Sequence, residues 1–373
     1  MKLIITGFSN SGKTTVFNAL SGQDVETTTY PTSISSEVEP HPGIVKIPDS
    51  RIDGLSAVYH PRKTTYATVE YIDYLGITSA AIGGDVSQNT KVFALIKDAD
   101  AIVHVVRAFE DESIMHPLGN VNPLRDVTSF EAELILGDLA FIEKRLEKIH
   151  EQEKKGKKLD EADKKLLYKC KQALEEERSL RNIDFDDEEK RLMLPYQFLS
   201  TMPEIIVLNI AEKDMESARI KKYEDDIEGY FRTTGGGTVP PVLIVCGKIE
   251  MEIAQLPPDE AKAFLDDLGI EEPAMYKLCH VCYSSLGLIS FFTVGDDEVR
   301  AWTIKKGTKA QQAAGKIHSD IERGFIRAET VSYDDFVSSG ESMAAVKEKG
   351  LARLEGKTYE VKDGDIINFK FNV

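Results

Sequence analysis

Tryptophan occurs once and cysteine four times in 373 residues, aromatics make up 8%, and 46 Lys and Arg face 63 Asp and Glu. Each shortage excludes something. Four cysteines in so long a chain (Cys170, Cys246, Cys279 and Cys282) do not frame a disulfide scaffold and fit a reducing compartment. Cys279 and Cys282 stand as C-x-x-C, but with no second Cys or His pair at zinc-ligand spacing they read as two half-buried thiols. The net charge of -17 argues against unspecific binding to DNA or RNA, though not against a local basic patch on a structured RNA or ribosome partner. No apolar run approaches the roughly 18 to 20 residues of a bilayer span, so no membrane partner is expected. Met1-Lys2-Leu3-Ile4-Ile5-Thr6 runs straight into a strand and not into a signal peptide, and the chain reads as cytoplasmic. With 42% hydrophobic residues, its length suffices for two or three domains with their own cores.

Short β-branched runs recur at residues 3–6, 68–73, 102–107, 205–209 and 242–246. Continuous apolar runs of this length, separated by helical patterns, are what strands buried on both faces of a parallel sheet look like. The first part is therefore a doubly wound α/β domain. Residues 130–180 break the rhythm: Ile135, Leu139, Ile142, Leu146 and Ile149 form a heptad seam, continued by Leu167, Cys170 and Leu174 after a Lys-rich turn. That pattern predicts an antiparallel helical hairpin inserted between two strands, with the whole insertion at about 128–200. It serves either as a solvated arm or as an arm touching a large partner. From residue 288 a small α+β domain is expected, with strands at 299–304 and 325–331, a helix at 310–321, and a last strand alternating through Ile367, Phe369, Phe371 and Val373. Lys362-Asp363-Gly364-Asp365 reads as the hairpin turn before it. The excess of acid lies almost wholly ahead of residue 292, so any basic surface is expected in this last domain, near Arg300, Lys305, Lys306 and Lys309.

Gly7-Phe8-Ser9-Asn10-Ser11-Gly12-Lys13-Thr14 fits G-x-x-x-x-G-K-[ST] and stands between a predicted strand and a predicted helix, as a phosphate loop requires. Its N–H groups, with those of Thr15 and the helix start, would cradle a triphosphate. Lys13 is expected on the β- and γ-phosphates and Thr14 on Mg²⁺. Asp73-Tyr74-Leu75-Gly76 closes a predicted strand and fits D-x-x-G, with Asp73 reaching Mg²⁺ through water and Gly76 sensing the γ-phosphate. The next residue, where Ras-like enzymes place a water-orienting glutamine, is Ile77, so hydrolysis must use another group or be very slow. Asn209-Ile210-Ala211-Glu212 stands where a GTPase carries N-K-x-D. An aspartate there accepts two hydrogen bonds from guanine that adenine cannot donate. With no lysine and a carboxylate one methylene longer, guanine selectivity should weaken, and Asn209 could meet the adenine edge.

The phosphate loop, the Ala101-Ile102-Val103-His104-Val105-Val106-Arg107-Ala108-Phe109-Glu110-Asp111 run and the 209–214 stretch together resemble the YchF family, an Obg-related branch of translation-factor-class P-loop NTPases. Glu298-Val299-Arg300-Ala301-Trp302-Thr303-Ile304 and the ending Asp363-Gly364-Asp365-Ile366-Ile367 extend the resemblance over the whole chain. It implies a G domain over residues 1–287 carrying a coiled-coil hairpin, and a β-grasp TGS domain over 288–373. It implies hydrolysis of ATP, often in preference to GTP, with Asn209, Ile210, Glu212, Gly247 and Lys248 around the base. It also implies that His116, in the loop after Phe109-Glu110-Asp111, replaces the missing glutamine, and that the hairpin and TGS domain meet a ribosome. His104, between valines on a strand, reads instead as a core residue.

The chain departs from the family at Phe8-Ser9-Asn10-Ser11, at Cys246-Gly247, and at Ala80-Ala81-Ile82-Gly83-Gly84-Asp85, where a glycine-rich stretch is degraded. In switch I the threonine that senses Mg²⁺ has no clear equivalent, and Ser36 is the stand-in. Three readings stay open: a slow ATP- or GTP-hydrolysing regulator, a nucleotide-binding interaction module that scarcely hydrolyses, and a plain RNA-binding protein.

Overall fold

The computed structural model describes residues 1–25, 39–74, 76–77, 86–156, 160–234 and 239–372; Ser36 and residues 80–85 lie outside them. In chain order the strands are β1 (Lys2–Thr6), β2 (His41–Lys46), β3 (Lys63–Thr65), β4 (Thr68–Asp73), β5 (Ala101–Arg107), β6 (Glu204–Asn209), β7 (Val242–Val245), β8 (Leu288–Thr293), β9 (Glu298–Lys305), β10 (Phe325–Ser332), β11 (Arg353–Glu355) and β12 (Asp365–Phe371). The first five helices are α1 (Lys13–Ser21), α2 (Ser50–Tyr59), α3 (Val86–Lys97), α4 (Pro123–Lys154) and α5 (Glu161–Glu175). The chain divides into two units, 1–44 with 70–278 and 45–69 with 279–373.

The first unit is built on a sheet of order β2-β4-β1-β5-β6-β7, in which β1 pairs in parallel with β4 and β5, β5 with β6, and β6 with β7. β5 and β6 are buried at every residue, which is why they read as unbroken apolar runs. The order reverses at β1, between β4 and β5, so the crevice beyond the carboxyl end of β1 is where an open α/β sheet takes its ligand.

The helical hairpin is α4 and α5. Asn122 caps α4 by accepting from the Arg125 N–H at 3.1 Å, and Pro123 opens the first turn. Along the seam Ile135, Ile142, Leu146 and Ile149 pack against Leu166, Leu167, Cys170 and Leu174, with Leu139 half-buried beside them. Burying each such side chain contributes about 1.5–3 kcal/mol, which offsets the strongly charged outer faces. Asp138 fixes the return chain by accepting the N–H groups of Leu199 and Ser200, each at 2.8 Å.

Below the hairpin lies a buried ionic chain. Arg181 bridges Glu131 at 3.1 Å and Glu204 at 2.8 Å; Glu204 meets His104 Nδ1 at 2.8 Å, and His104 stacks on Phe130 at 3.9 Å. Burial pushes Glu131 up, with Arg181 opposing. Burial also works against ionised Glu204, but the His104 hydrogen bond and Arg181 hold it below the ordinary carboxylate range. His104 is thus a core residue on β5, as its valine neighbours indicate, and a hydrogen-bond partner of Glu204 besides.

The second unit has its own sheet, β11-β10-β12-β8-β9-β3. Ala310, Ala313 and Ala314 of the helix Ala310–Ile317 press onto one face of it, against Phe291, Ile304, Phe325 and Phe369, a β-grasp arrangement. β12 lies between antiparallel β10 and parallel β8, so the turn through Gly364 leads into the last strand without making a hairpin; β11 pairs with β10 instead. The expected helix 310–321 is two, Ala310–Ile317 and Ser319–Arg323, because His318 is extended and its Nδ1 caps the second by accepting the Asp320 N–H at 3.2 Å. β3 runs parallel to β9 at the sheet edge. Arg51 of α2 reaches Asp363 at 2.7 Å and Asp49 at 2.8 Å with its guanidinium 5.2 Å from the Phe292 ring centroid, and Thr65 donates to Glu298 at 2.6 Å. No helix among the described residues is long and apolar enough to cross a membrane.

Candidate nucleotide site

Gly7 to Thr14 leave the carboxyl end of β1 and turn into α1. Gly12 has φ +91°, and a Cβ there would stand 2.1 Å from Asn209 Nδ2, so no other residue fits. Asn10 also takes a left-handed conformation, which asparagine tolerates, at φ +62°. Lys13 is buried and donates to the Phe8 carbonyl at 2.9 Å. Burial lowers its pKa to about 8, against the opposing pull of Asp73. The ammonium therefore sits in a dry site with little to offset its charge, which a triphosphate would supply.

Thr14 donates from Oγ1 to Asp73 Oδ2 at 2.8 Å. Asp73 is the last residue of β4; its Oδ1 is buried with no hydrogen-bond partner among the described residues. Burial raises the Asp73 pKa, with Thr14, Lys13 and His41 pulling it back. A hydroxyl beside a carboxylate with an unused buried oxygen is the donor set a hard divalent cation takes, so these residues fit Mg²⁺.

Gly76 lies against the loop: a Cβ on it would come within 2.7 Å of the Gly7 carbonyl, 2.8 Å of Lys13 Nζ and 2.9 Å of the Ser9 N atom. Next to it the Ile77 N–H donates to the Gly7 carbonyl at 3.0 Å, making a bridge with Phe8. The Ile77 side chain is buried among Ile4, Phe8, Val92 and Ile96. The residue after D-x-x-G thus serves the core.

On the base side, Asn209 ends β6 and donates from Nδ2 to the Ser11 carbonyl at 2.9 Å, while its Oδ1 accepts the Gly247 N–H at 3.1 Å. It ties the phosphate loop to the start of the helix Gly247–Gln255. Glu212 and Lys248 are exposed. Ile210 is buried in the core with Ile220 and Ile227, and its N–H donates to Val245, so its side chain is turned from any ligand. Thr15 is half-buried on α1, and the Ser11 hydroxyl is buried without a partner among the described residues.

His116 lies in the loop between β5 and α4, and that loop touches the phosphate loop where Asn10 Nδ2 donates to the Met115 carbonyl at 2.9 Å. The His116 ring is turned inward. Its Nε2 is 2.9 Å from Asp126, and its Nδ1 accepts the Leu118 N–H at 3.1 Å. Sequence reasoning passed over two residues that shape this loop, Arg107 and Asp126. Arg107, the last residue of β5, donates to the carbonyls of Phe109, Asp111 and Ile114 at 3.1, 3.2 and 2.9 Å. Asn10 and Asp126 supply the other ties, and only the position of Arg107 at the end of a buried strand could have signalled its part.

Residues 288–372 match the YchF GTPase C-terminal family, described as "Protein of unknown function (DUF933)", and residues 2–136 match the family described as "50S ribosome-binding GTPase". The chain is 41% identical over 369 residues to the "Ribosome-binding ATPase YchF" of Bacillus subtilis, covering 99% of this chain and 98% of the relative. The protein of the same name from Escherichia coli O157:H7 is 39% identical over 370 residues, with 99% and 98% covered. Among solved structures, the Schizosaccharomyces pombe YchF GTPase superposes with a TM-score of 0.81 at 28% identity, over 99% of this chain and 97% of that one. A GTP binding protein from Pyrococcus horikoshii OT3 shares the fold at a TM-score of 0.58 and 16% identity, each chain fully covered. By full-length identity to its bacterial relatives, and by a phosphate loop, helical hairpin and β-grasp unit in that order, the chain belongs to the YchF family, in the Obg-related class of translation-factor P-loop proteins.

Proposed function

We infer that the chain binds ATP at the phosphate loop and slowly hydrolyses its β–γ phosphoanhydride bond, working with the ribosome in the cytoplasm. The observation that carries this reading is the junction of Lys13, Thr14, Asp73 and Gly76, where one cation, two oxygen donors and a close-packed backbone gather on one loop. In this reading Ser9, Asn10, Ser11, Gly12 and Thr15 cradle the phosphates with their N–H groups, and Lys13 meets the β- and γ-oxygens. Thr14, Asp73 through water, and Ser36 hold Mg²⁺, which when bound offsets charge on the phosphate oxygens. Gly76 senses the γ-phosphate and His116 directs the attacking water.

Asn209, Glu212, Gly247 and Lys248 surround the base, with Ile210 packed into the core behind them. ATP is favoured because no aspartate stands where guanine would be read, and the bacterial relatives carry an ATPase name, although the fission-yeast relative is called a GTPase. Residues 1–287 carry the nucleotide module, with 45–69 lent to the C-terminal unit. The hairpin at about 128–200 and the β-grasp module at 288–373 make the ribosome contacts.

The test is a paired titration of nucleotide-free protein with fluorescent ATP and GTP analogues in Mg²⁺, wild type beside Lys13→Ala. Tighter ATP binding that vanishes in the mutant supports the reading; clear GTP preference makes the protein a GTPase instead. A second reading, a binding module with little turnover, is favoured by the engagement of both His116 ring nitrogens inside the loop. Bound triphosphate that survives intact for hours in a single-turnover assay would select it.

A further inference from the structure

The His116 side chain is only 3% exposed, and both of its nitrogens are assigned by their neighbours. An amide N–H can donate only to an unprotonated nitrogen, so the Leu118 N–H at 3.1 Å makes Nδ1 the lone pair. The proton is then on Nε2, donated to Asp126 Oδ2 at 2.9 Å. Asp126 is itself fixed. Its Oδ1 accepts from Arg125 Nε and Nη2 at 3.1 and 2.8 Å, and Arg125 also donates to the carbonyls of Leu118 and Asn120 at 3.2 and 2.7 Å. From the other side Arg107 and Asn10 hold the loop, Asn10 at the residue next to His116. A buried carboxylate on one ring nitrogen, with the opposite nitrogen left as base, is how an orienting acid serves a catalytic imidazole.

We propose that Asp126 is the positioning residue of the hydrolytic step, holding His116 as the Nε2–H tautomer so that Nδ1 is its one basic nitrogen, with the Leu118 N–H occupying the place of the attacking water. The proposal rests on the reading of His116 as the water-directing group. When the turn through residues 116–119 exchanges the Leu118 bond for water, the water oxygen bonds to the γ-phosphorus and its proton passes to Nδ1. The β–γ bridging oxygen departs on the diphosphate with the electron pair of the broken bond. The imidazolium, balanced by Asp126, then returns its proton to solvent.

Turnover of ATP by the full chain decides it, with wild type, His116→Ala, Asp126→Ala and Asp126→Asn compared, and imidazole nitrogen shifts recorded on labelled histidine. Asp126→Ala is expected to lower kcat about tenfold or more with KM for ATP unchanged. Its His116 shifts should move from a single Nε2–H tautomer to an average of two. Asp126→Asn keeps the shape, but its single carboxamide oxygen goes to the Arg125 donors and its NH₂ faces Nε2. It should therefore drive His116 to the Nδ1–H tautomer and lower kcat at least as far; it also serves if the alanine variant fails to fold. Wild-type kcat in both Asp126 variants beside a defective His116→Ala would overturn the role of Asp126 alone. Wild-type turnover in His116→Ala would overturn the water-directing reading, and this proposal with it.

Discussion

Asn209 Nδ2 donates to the Ser11 carbonyl at 2.9 Å, so a residue expected at the base also braces the phosphates. Asn209→Ala would leave the Ser11 carbonyl and the Gly247 N–H without their partner, at about 1–3 kcal/mol for each buried group left unsatisfied. Because the tie is shared, ATP and GTP affinity should fall together, by about tenfold or more. Competition binding and thermal unfolding of the same variant check this. Loss of one nucleotide alone, with no loss of stability, would make Asn209 a base reader only.

Lys13 gives a pH dependence with a definite sign. Its pKa in the free protein is lowered to about 8 by burial, and a bound triphosphate restores the charged form. Binding a little above pH 8 should therefore take up a proton, and affinity should decline as pH rises through that value. Calorimetry in two buffers of different ionisation enthalpy reads the uptake directly, and an equal heat in both buffers would show Lys13 already charged.

Shortening the base-side carboxylate tests nucleotide choice. Glu212 is exposed, so Glu212→Asp should leave stability within about 0.5 kcal/mol. It should raise the affinity for GTP relative to ATP several-fold, since the aspartate can pair with the two guanine donors. An unchanged ratio in competition binding would place base selection elsewhere.

The phosphate loop, the strands buried on both faces and the hairpin seam were legible because each is a local pattern, carried by residues a few positions apart. Ile77 was legible for the same reason, as an apolar residue where a polar one was required. The ionic chain under the hairpin was not. His104 and Glu204 stand a hundred positions apart in sequence yet 2.8 Å apart in space, and no periodicity announces such a pair. Nor could residues 63–65, three polar side chains in a short strand, be read as the edge of a sheet whose other strands begin at residue 288.

Arg181 is the cation on which that ionic chain depends. Arg181→Ala would leave Glu131 and Glu204 buried together without their shared partner, at about 3–5 kcal/mol. A fall in the unfolding temperature of the full chain is expected, larger than for removal of a surface pair such as Lys221 with Glu224. Equal effects from the two would mean that water relieves the buried carboxylates.

The strand β3 and the helix α2 are part of the sheet and core of the C-terminal unit, though they come from residues 45–69. The chain crosses between units three times, so no single cut releases an intact module. A fragment starting at residue 288 would bare β9 as an unpaired edge and strip Arg51 from Phe292 and Asp363, inviting strand-to-strand aggregation. Inheritance meets the same geometry: a gene fusion that borrowed only the C-terminal segment would carry an incomplete sheet.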